Sequence, residues 1–496
     1  MENKSSTFQK KITDKPSNRL FFLTIIVFVK DTKRKTLIGI ILFLLICIGV
    51  GIYFLIPSIV FRTDRTVFER ESIVSAQEVI LNVNGNVTPE REFIPTETVG
   101  KHELVYVVDN GIIKKNITFA YEVIDTIPPV IELQQEVYEK NPGEELTEED
   151  IKENVTINEG FLSFETDFNP YRADQYTVYL TAEDESGNVS KAQYQVVIKD
   201  IEEPTVFRTG NNAVIKTGSV FDINEIISYG DNVDAHPVLE VEGSVNTYVP
   251  GDYPLHAKLT DYSGNVMEWD LTVLVRSVVE PQEHAHDYYL FEDFIVDYAG
   301  ENRKFGIDVS TWQGDIDFEA VKNAGCEFVI IRIGFSHRGA FKIDDTYRKN
   351  IEGAKAVGLP VGIYLFSYDH TEESLLSSLE GMFNELGEEQ LDLPIVFDWE
   401  NFGNYQDYEM SFQMLNHLYD IFEQEVTNRG YESMLYGSTY YLEHIWNKTD
   451  TRPIWLAHYV DETDYEGSYD IWQLSGTGRI DGIHGNVDLD IMYINE

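Results

Sequence analysis

Four acidic residues stand where carboxyl chemistry is possible: Asp308, Asp398, Glu400 and Asp488. The run Ile395-Val-Phe-Asp398-Trp-Glu400 reads as a buried strand. Its side-chain period of two puts Val396, Asp398 and Glu400 on one face and Ile395, Phe397 and Trp399 on the other. Two carboxylates therefore point into the same cavity. Neighbouring carboxylates in a confined site cannot all ionise at low cost, so one keeps a proton at neutral pH and another stays charged. A proton donor beside a fixed negative charge suits glycosidic bond cleavage, whose oxocarbenium-like transition state takes a proton at the leaving oxygen and negative charge beneath the ring. The α-carbons of an i,i+2 pair are about 6.6 Å apart, and flexible side chains leave both carboxyl separations, inverting and retaining, open.

Elements that alternate strand and helix must position these acids. From residue 304 onward Phe305-Gly-Ile-Asp308-Val-Ser is followed by a helix over Asp317–Ala324 with Gly325 past its end, where a left-handed cap favours glycine. The strand Phe328–Ile333, a helix over Thr346–Val357 before Gly358, and the strand Val361–Ser367 repeat the grammar. Next come a helix over Glu372–Leu386 before Gly387, the strand at 394–400, and a long helix over Tyr408–Asn428. Short strands at 433–437, 454–456, 471–473 and 487–490 complete the set. Near-continuous apolar strands alternating with helices predict a mostly parallel sheet covered on its outer face, closed into a compact α/β barrel of about eight strands. In such barrels chemistry sits at the C-terminal ends of strands, where all four acids fall.

The segments Gly306-Ile-Asp308-Val-Ser310-x-Trp312-Gln313-Gly314, Gly362-x-Tyr364, Asp398-Trp399-Glu400, Pro453-Ile-Trp455-Leu-Ala457-x-Tyr459, Ile471-Trp472-Gln473 and Gly485-Asn-Val-Asp488 together resemble, in order, the signatures of glycoside hydrolase family 25, the muramidases that cut peptidoglycan. The resemblance covers residues 304–496. It implies a flattened, incomplete TIM-like barrel and hydrolysis of the β-1,4 bond between N-acetylmuramic acid and N-acetylglucosamine, with no metal or organic cofactor. It further implies Glu400 as acid/base, Asp398 as its partner, Asp308 and Asp488 as supporting acids, and retention through the substrate's own acetamido group, with Asp398 orienting the acetamide. Tyr364, Tyr459, Trp472, Gln473 and Trp455 are the expected substrate-binding residues, Tyr459 and Trp472 foremost as stacking platforms. Leu365 departs from the pattern, since many members have His after the matching Tyr, and this bears on a subsite contact.

The rest of the 496 residues sets the context. Lys+Arg 38 against Asp+Glu 85 give a net charge of −47, which repels a phosphate backbone and excludes nucleic acid as partner. Residues 1–35 form a basic tail with nine Lys/Arg against three acids, and residues 36–61 carry no charge over 26 positions, against the roughly 20 needed to span a bilayer. This predicts a single transmembrane helix with a cytoplasmic N-terminus and an extracellular C-terminal part facing the cell wall. The apolar run Leu20–Val29 is too short to cross. The two cysteines, Cys47 and Cys326, offer no disulfide framework.

Between anchor and barrel the sequence repeats. Tyr176-Thr-Val-Tyr-Leu-Thr-Ala-Glu-Asp184-Glu-Ser186-Gly187-Asn188-Val189 returns 77 positions later as Tyr253 to Val266, with Asp261, Ser263, Gly264 and Asn265 in register. Each copy reads as a hairpin closing an antiparallel sandwich, and the modules resemble bacterial immunoglobulin-like domains, with bounds 62–126 (a degraded copy), 127–200 and 201–278. The Asp-x-Ser-Gly-Asn loop reads as a turn, because its two oxygen side chains fall short of the six to eight ligands calcium takes. Residues 279–303 read as an acidic linker, with His284, His286 and Asp287 solvated and not metal-binding. Three sandwiches in series would span on the order of 100 Å, so they are expected to act as removable spacers. The whole reads as a membrane-anchored enzyme that opens or remodels wall locally. The rival is a catalytically weak wall-binding or assembly protein of a secretion, conjugation or cell-division machine.

Overall fold

A computed structural model describes residues 24–277, 288–337, 339–448 and 451–494. The basic tail up to residue 23, and His284, His286 and Asp287 of the linker, lie outside the described residues. By internal contacts the chain forms two compact units. One comprises residues 1–129 with 159–161 and 183–190, and the other the remainder.

Helix α1 (Thr24–Leu55) occupies the apolar run, and its side chains are described for residues 36–51 and Leu55. Among the described residues no helix is long and apolar enough to cross a membrane, so the spanning helix expected over 36–61 is not supported by the structure. Its expected end is also corrected. The helix stops at Leu55 and Ser58–Phe61 is a strand paired with Ile80–Asn84, because Pro57 lacks an amide proton and disfavours helix in the residue before it.

Each of the three modules has a four-stranded sheet and a separate strand pair. In each, a short strand runs parallel to the last long strand: Val67–Glu69 beside Lys114–Ile124, Val137–Lys140 beside Val189–Ile198, and Val214–Lys216 beside Val266–Arg276. The duplicated loop is a turn closed by its own Asp. Asp184 Oδ1 accepts from the Ser186 and Asn188 amides at 2.8 and 2.9 Å, and Asp261 Oδ1 accepts from the Asn265 amide at 2.8 Å. Gly187 and Gly264 have φ of 86° and 91°, which a side chain would strain.

The C-terminal barrel consists of β1 (Arg303–Val309), β2 (Phe328–His337), β3 (Val361–Ser367), β4 (Ile395–Asp398), β5 (Ser433–Ser438), β6 (Ile454–Ala457), β7 (Ile471–Arg479) and β8 (Val487–Tyr493). Strands β1 to β7 are parallel neighbours in order. Strand β8 runs antiparallel to both β1 and β7, and this pairing closes the ring. The eight-strand ring is therefore complete, and what is reduced is the helical coat, led by α2 (Tyr347–Ala356), α3 (Glu372–Leu386) and α4 (Phe412–Thr427). Alternation sorts the strand residues into two cores. Phe328, Ile330, Tyr364, Val396, Met434, Tyr436, Trp455 and Ile471 fill the barrel, while Val329, Ile331, Ile363, Phe397, Leu435, Leu456 and Trp472 face the helices.

The long helix expected from Tyr408 begins only at Phe412, where the Ser411 hydroxyl caps it by accepting from the Met414 amide at 3.1 Å. Residues Phe402–Tyr408 instead form tight 3-10 turns. The third module packs on that segment. Ser228 Oγ donates to the Phe402 carbonyl, Gln406 Nε2 donates to the Ile227 carbonyl at 3.1 Å, and Phe207 sets its ring against Phe402, Tyr405, Phe412 and Tyr441 with centroids 5.4–5.9 Å apart. The second module contributes Tyr171, whose ring stacks on His417 at 4.1 Å and whose carbonyl accepts from Ser411 Oγ. The expectation that residues 127–278 serve only as removable spacers is therefore wrong. Phe402 and Tyr405 of the turn, and Phe412, which the pattern assigned to the barrel's own helix, pack against the third module.

Candidate active site

The C-terminal ends of the parallel strands surround a cavity of about 600 Å³ lined by Asp308, Asp398, Glu400 and Asp488 together with Arg332, Tyr364, Trp455, Tyr459 and Gln473. Asp488 reaches it from the N-terminal end of β8, not from a C-terminal end as expected, because β8 runs antiparallel. Asp308 and Asp488 are directly paired across β1 and β8, and Asp398 ends β4 beside Tyr436 of β5. Trp399 and Glu400 lie just past β4 and continue its alternation. Trp399 turns outward into the core, with its indole N–H on the Asp369 carbonyl at 3.1 Å, while Glu400 turns to the cavity.

Asp398 is only 5% exposed and its Oδ1 has no hydrogen-bond partner, whereas Glu400 stands exposed at the mouth. Burial, then the Glu400 charge, holds the Asp398 carboxyl well above the usual carboxylate range. Burial also raises Glu400. The pair thus holds a proton at neutral pH, and Glu400 is the member a substrate can reach. Opposite them, burial and the charges of Asp488 and Asp490 push Asp308 well up, and burial pushes Asp488 up to about 6.

Gln473 organises the cavity floor. Its Nε2 donates to Asp308 Oδ2 at 2.8 Å, and its Oε1 accepts from Tyr436 at 2.9 Å and Tyr459 at 2.8 Å. These bonds fix which end of the amide faces the acid. Trp455 stands edge-on to Tyr364 and Tyr436 with centroids 6.0 and 4.8 Å away, and its Nε1 donates to Asp490 Oδ1 at 2.8 Å. Trp455 is thus a buried wall residue, not an open platform. Trp472 does not line the cavity. Its parity is opposite to that of Ile471 and Gln473, its indole donates to the His458 carbonyl at 2.8 Å, and it packs edge-on to Tyr298, so the expected stacking role is corrected to a core role.

Among the residues that escaped the sequence reading are Arg332 and Trp312, which line the cavity, and Asp490, which lies behind the wall residue Trp455. Asp490 is fully buried and follows Asp488 at i+2, so the alternation that linked Asp398 to Glu400 would have found it. Arg332 brings the positive charge, held by Asp344 Oδ2 at 2.8 Å from Nε and 2.7 Å from the second guanidinium nitrogen, and it shares the inward parity of Phe328 and Ile330, so the same alternation would have found it. Trp312, quoted only as part of a motif, lies at the rim with 82% of its surface exposed. Oxygen and guanidinium groups alone converge here, a donor set for sugar hydroxyls and proton transfer.

Residues 307–483, most of the barrel, match the family model of Glycosyl hydrolases family 25. The chain is 32% identical over 190 residues to the autolytic lysozyme of Clostridium acetobutylicum, covering 37% of this chain and 54% of that one. It is 28% identical over 195 residues to lysozyme M1 of Streptomyces globisporus, covering 37% of this chain and 65% of that one. The chain thus spans about half the length of the clostridial relative. Among solved structures, a family 25 glycosyl hydrolase from Bacillus anthracis aligns over 43% of this chain and 96% of its own, with 20% identity and a TM-score of 0.36.

Proposed function

We propose that this protein is a muramidase that hydrolyses the β-1,4 bond from N-acetylmuramic acid to N-acetylglucosamine in peptidoglycan. The observation that carries the reading is a buried carboxyl, Asp398, beside an exposed one, Glu400, in a cavity walled by further acids and aromatic rings. The kinship of the barrel to two lysozymes supports the substrate class. In the reaction Glu400 gives its proton to the leaving glycosidic oxygen. The substrate's acetamide oxygen closes on C1 while Asp398, through its unpartnered Oδ1, accepts the acetamide N–H. Water then opens the cyclic intermediate, with Glu400 taking back the proton. Asp488, raised only to about 6, adds negative potential facing the cationic centre, and Gln473 holds Asp308 in place beside it. Tyr459, exposed at the mouth, and Trp312 at the rim offer faces to sugar rings.

The setting belongs to the same proposal. The uncharged run of 36–61 behind a basic tail favours anchoring in the cell membrane with the barrel outside, and Leu37, Phe43 and Leu45 of α1 are each more than half exposed, with no protein covering them. The three sandwiches are proposed as immunoglobulin-like modules, and wall opening or remodelling as the process, with glycan strands as the partner. Release of new reducing ends from purified peptidoglycan tests the activity, and an inert wall-binding protein would release none.

A further inference from the structure

The duplicated turn meets different surroundings in its two copies, and the difference points to a ligand. Asp261, in the turn of the third module, lies beside Asp200, just past the last strand of the second module, and Asp231, just past the strand Ile227–Gly230. One carboxylate oxygen from each falls within 4.8 Å of the others, and their residues are 6%, 9% and 0% exposed. Backbone and amide donors satisfy part of the set. Asp200 Oδ1 accepts from Asn232 Nδ2 at 2.9 Å and from the Glu202 amide at 3.2 Å, and Asp231 Oδ1 accepts from the Val233 and Asp234 amides at 3.0 and 2.6 Å. Asp261 accepts from the Asn265 amide and side chain at 2.8 and 2.7 Å. Asp200 Oδ2 and Asp231 Oδ2 are left buried with no hydrogen-bond partner. Among the described residues no Lys, Arg or His forms an ion pair with any of the three.

The corresponding place beside the first copy of the turn is served differently. There Asn188 Nδ2 donates to the Asp125 carbonyl at 3.0 Å, as Asn265 Nδ2 does to the Asp200 carbonyl at 3.5 Å. Asp125 has a countercharge, Arg70, whose Nε lies 3.2 Å from Asp125 Oδ2 and which also pairs with Glu159. A guanidinium thus stands where the second copy presents only carboxylates. Three buried carboxylates without a countercharge are costly unless a positive charge or shared protons neutralise them. Burial, followed by repulsion from Asp200 and Asp261, already lifts the Asp231 carboxyl to about 7.

We propose that Asp200, Asp231 and Asp261 bind a divalent cation of the calcium class. The donor set is oxygen only, which suits a hard cation over zinc. Calcium bonds of about 2.3–2.6 Å place ligand oxygens up to about 5 Å apart, with water completing six to eight ligands. The loop that offers Asp231 also holds the barrel. The Asp231 and Asn232 carbonyls accept from the Phe412 and Gln413 amides at 2.9 Å each, at the start of α4. Loading the site therefore stiffens the loop through which the third module grips the barrel. The turn motif alone hid this, because two of the three acids come from outside it.

The test is calorimetric titration of calcium chloride into the detergent-solubilised full chain stripped with EGTA, with thermal unfolding in calcium and in EGTA. One calcium per chain and a higher unfolding temperature in calcium are expected, with magnesium binding more weakly. Asp231→Asn and Asp200→Asn should each weaken calcium binding by about tenfold or more, whereas Asp184→Asn, in the copy served by Arg70, should leave it unchanged. Absence of binding heat and of any calcium effect on wild-type unfolding would mean that the acids share protons instead, and would overturn the proposal. Equal calcium binding by wild type and Asp231→Asn would overturn it as well.

Discussion

Gly230→Ala probes whether the third module positions the acid-bearing loop. Gly230 is buried where the module meets the 3-10 turn, and an added Cβ would lie 2.6 Å from Phe412 Cε1 and 2.6 Å from Tyr405 Cδ1. Both rings are buried and hemmed in by Phe207 and Phe402, so they cannot swing aside. The overlap is about 1 Å relative to ordinary carbon contacts of about 3.5–4.0 Å, and overpacking of this kind costs about 1–3 kcal/mol. Relief comes by moving the module or residues 402–412. The second route pulls on Glu400, whose carbonyl accepts from the Phe402 amide at 2.8 Å while the Phe402 carbonyl accepts from Ser228. Displacing a reacting group by about 1 Å can cost about 10²-fold in rate. The assay is kcat/KM on soluble wall glycan, beside the thermal unfolding temperature. Loss of both is expected, with kcat falling more than KM rises. Unchanged unfolding and unchanged kcat would refute the idea that module and barrel work as one body, and would restore the spacer reading.

Tyr459→Ala should raise KM severalfold with little change in unfolding temperature, since its ring is 59% exposed, whereas Trp472→Ala should lower stability by about 3–5 kcal/mol as a core deletion. If instead Trp472→Ala folds normally and raises KM, the core assignment fails. The raised Asp488 carboxyl makes a pH prediction. Its folded value of about 6 exceeds the ordinary 3.8, so the folded state holds that proton longer, and its contribution to stability is present below about pH 4 and is lost as pH rises to about 6. Asp488→Asn should flatten that fall and unfold at a higher temperature than wild type at pH 7, and an unfolding profile identical to wild type across this range would contradict the shift. Protease added to wall-stripped cells should release the barrel, and full protection would sink the proposed orientation.

How much was legible depended on how local the determinant was. Strand parity put Asp398 and Glu400 on one face, and position near strand ends added Asp308 and Asp488; all four line one cavity. The same parity, applied to Ile471-Trp472-Gln473, would have turned Trp472 outward, and applied to Asp488-Leu489-Asp490 would have added the second acid of β8. Helix stops were readable where a glycine marks them, as at Gly325, Gly358 and Gly387 with φ of 102°, 72° and 63°. The start of α4 was not, because Tyr408 extends the apolar pattern of the helix backwards, yet it belongs to the 3-10 turn and packs on Trp399. Nothing in the spacing of Ser228, Gly230 or Asp231 announces a partner some 170–180 residues away. Contacts of that kind are set by tertiary packing and leave no periodic trace.

The central claim is that Glu400 protonates the glycosidic oxygen of an N-acetylmuramic acid linkage. It is tested most directly by digesting purified peptidoglycan with the full chain and with Glu400→Gln, reducing the products and identifying the new ends by mass spectrometry. The account predicts ends bearing N-acetylmuramic acid from wild type, and from Glu400→Gln the same fold with a rate lower by about 10²-fold or more. Ends bearing N-acetylglucosamine, or a Glu400→Gln enzyme cutting near the wild-type rate, would contradict it.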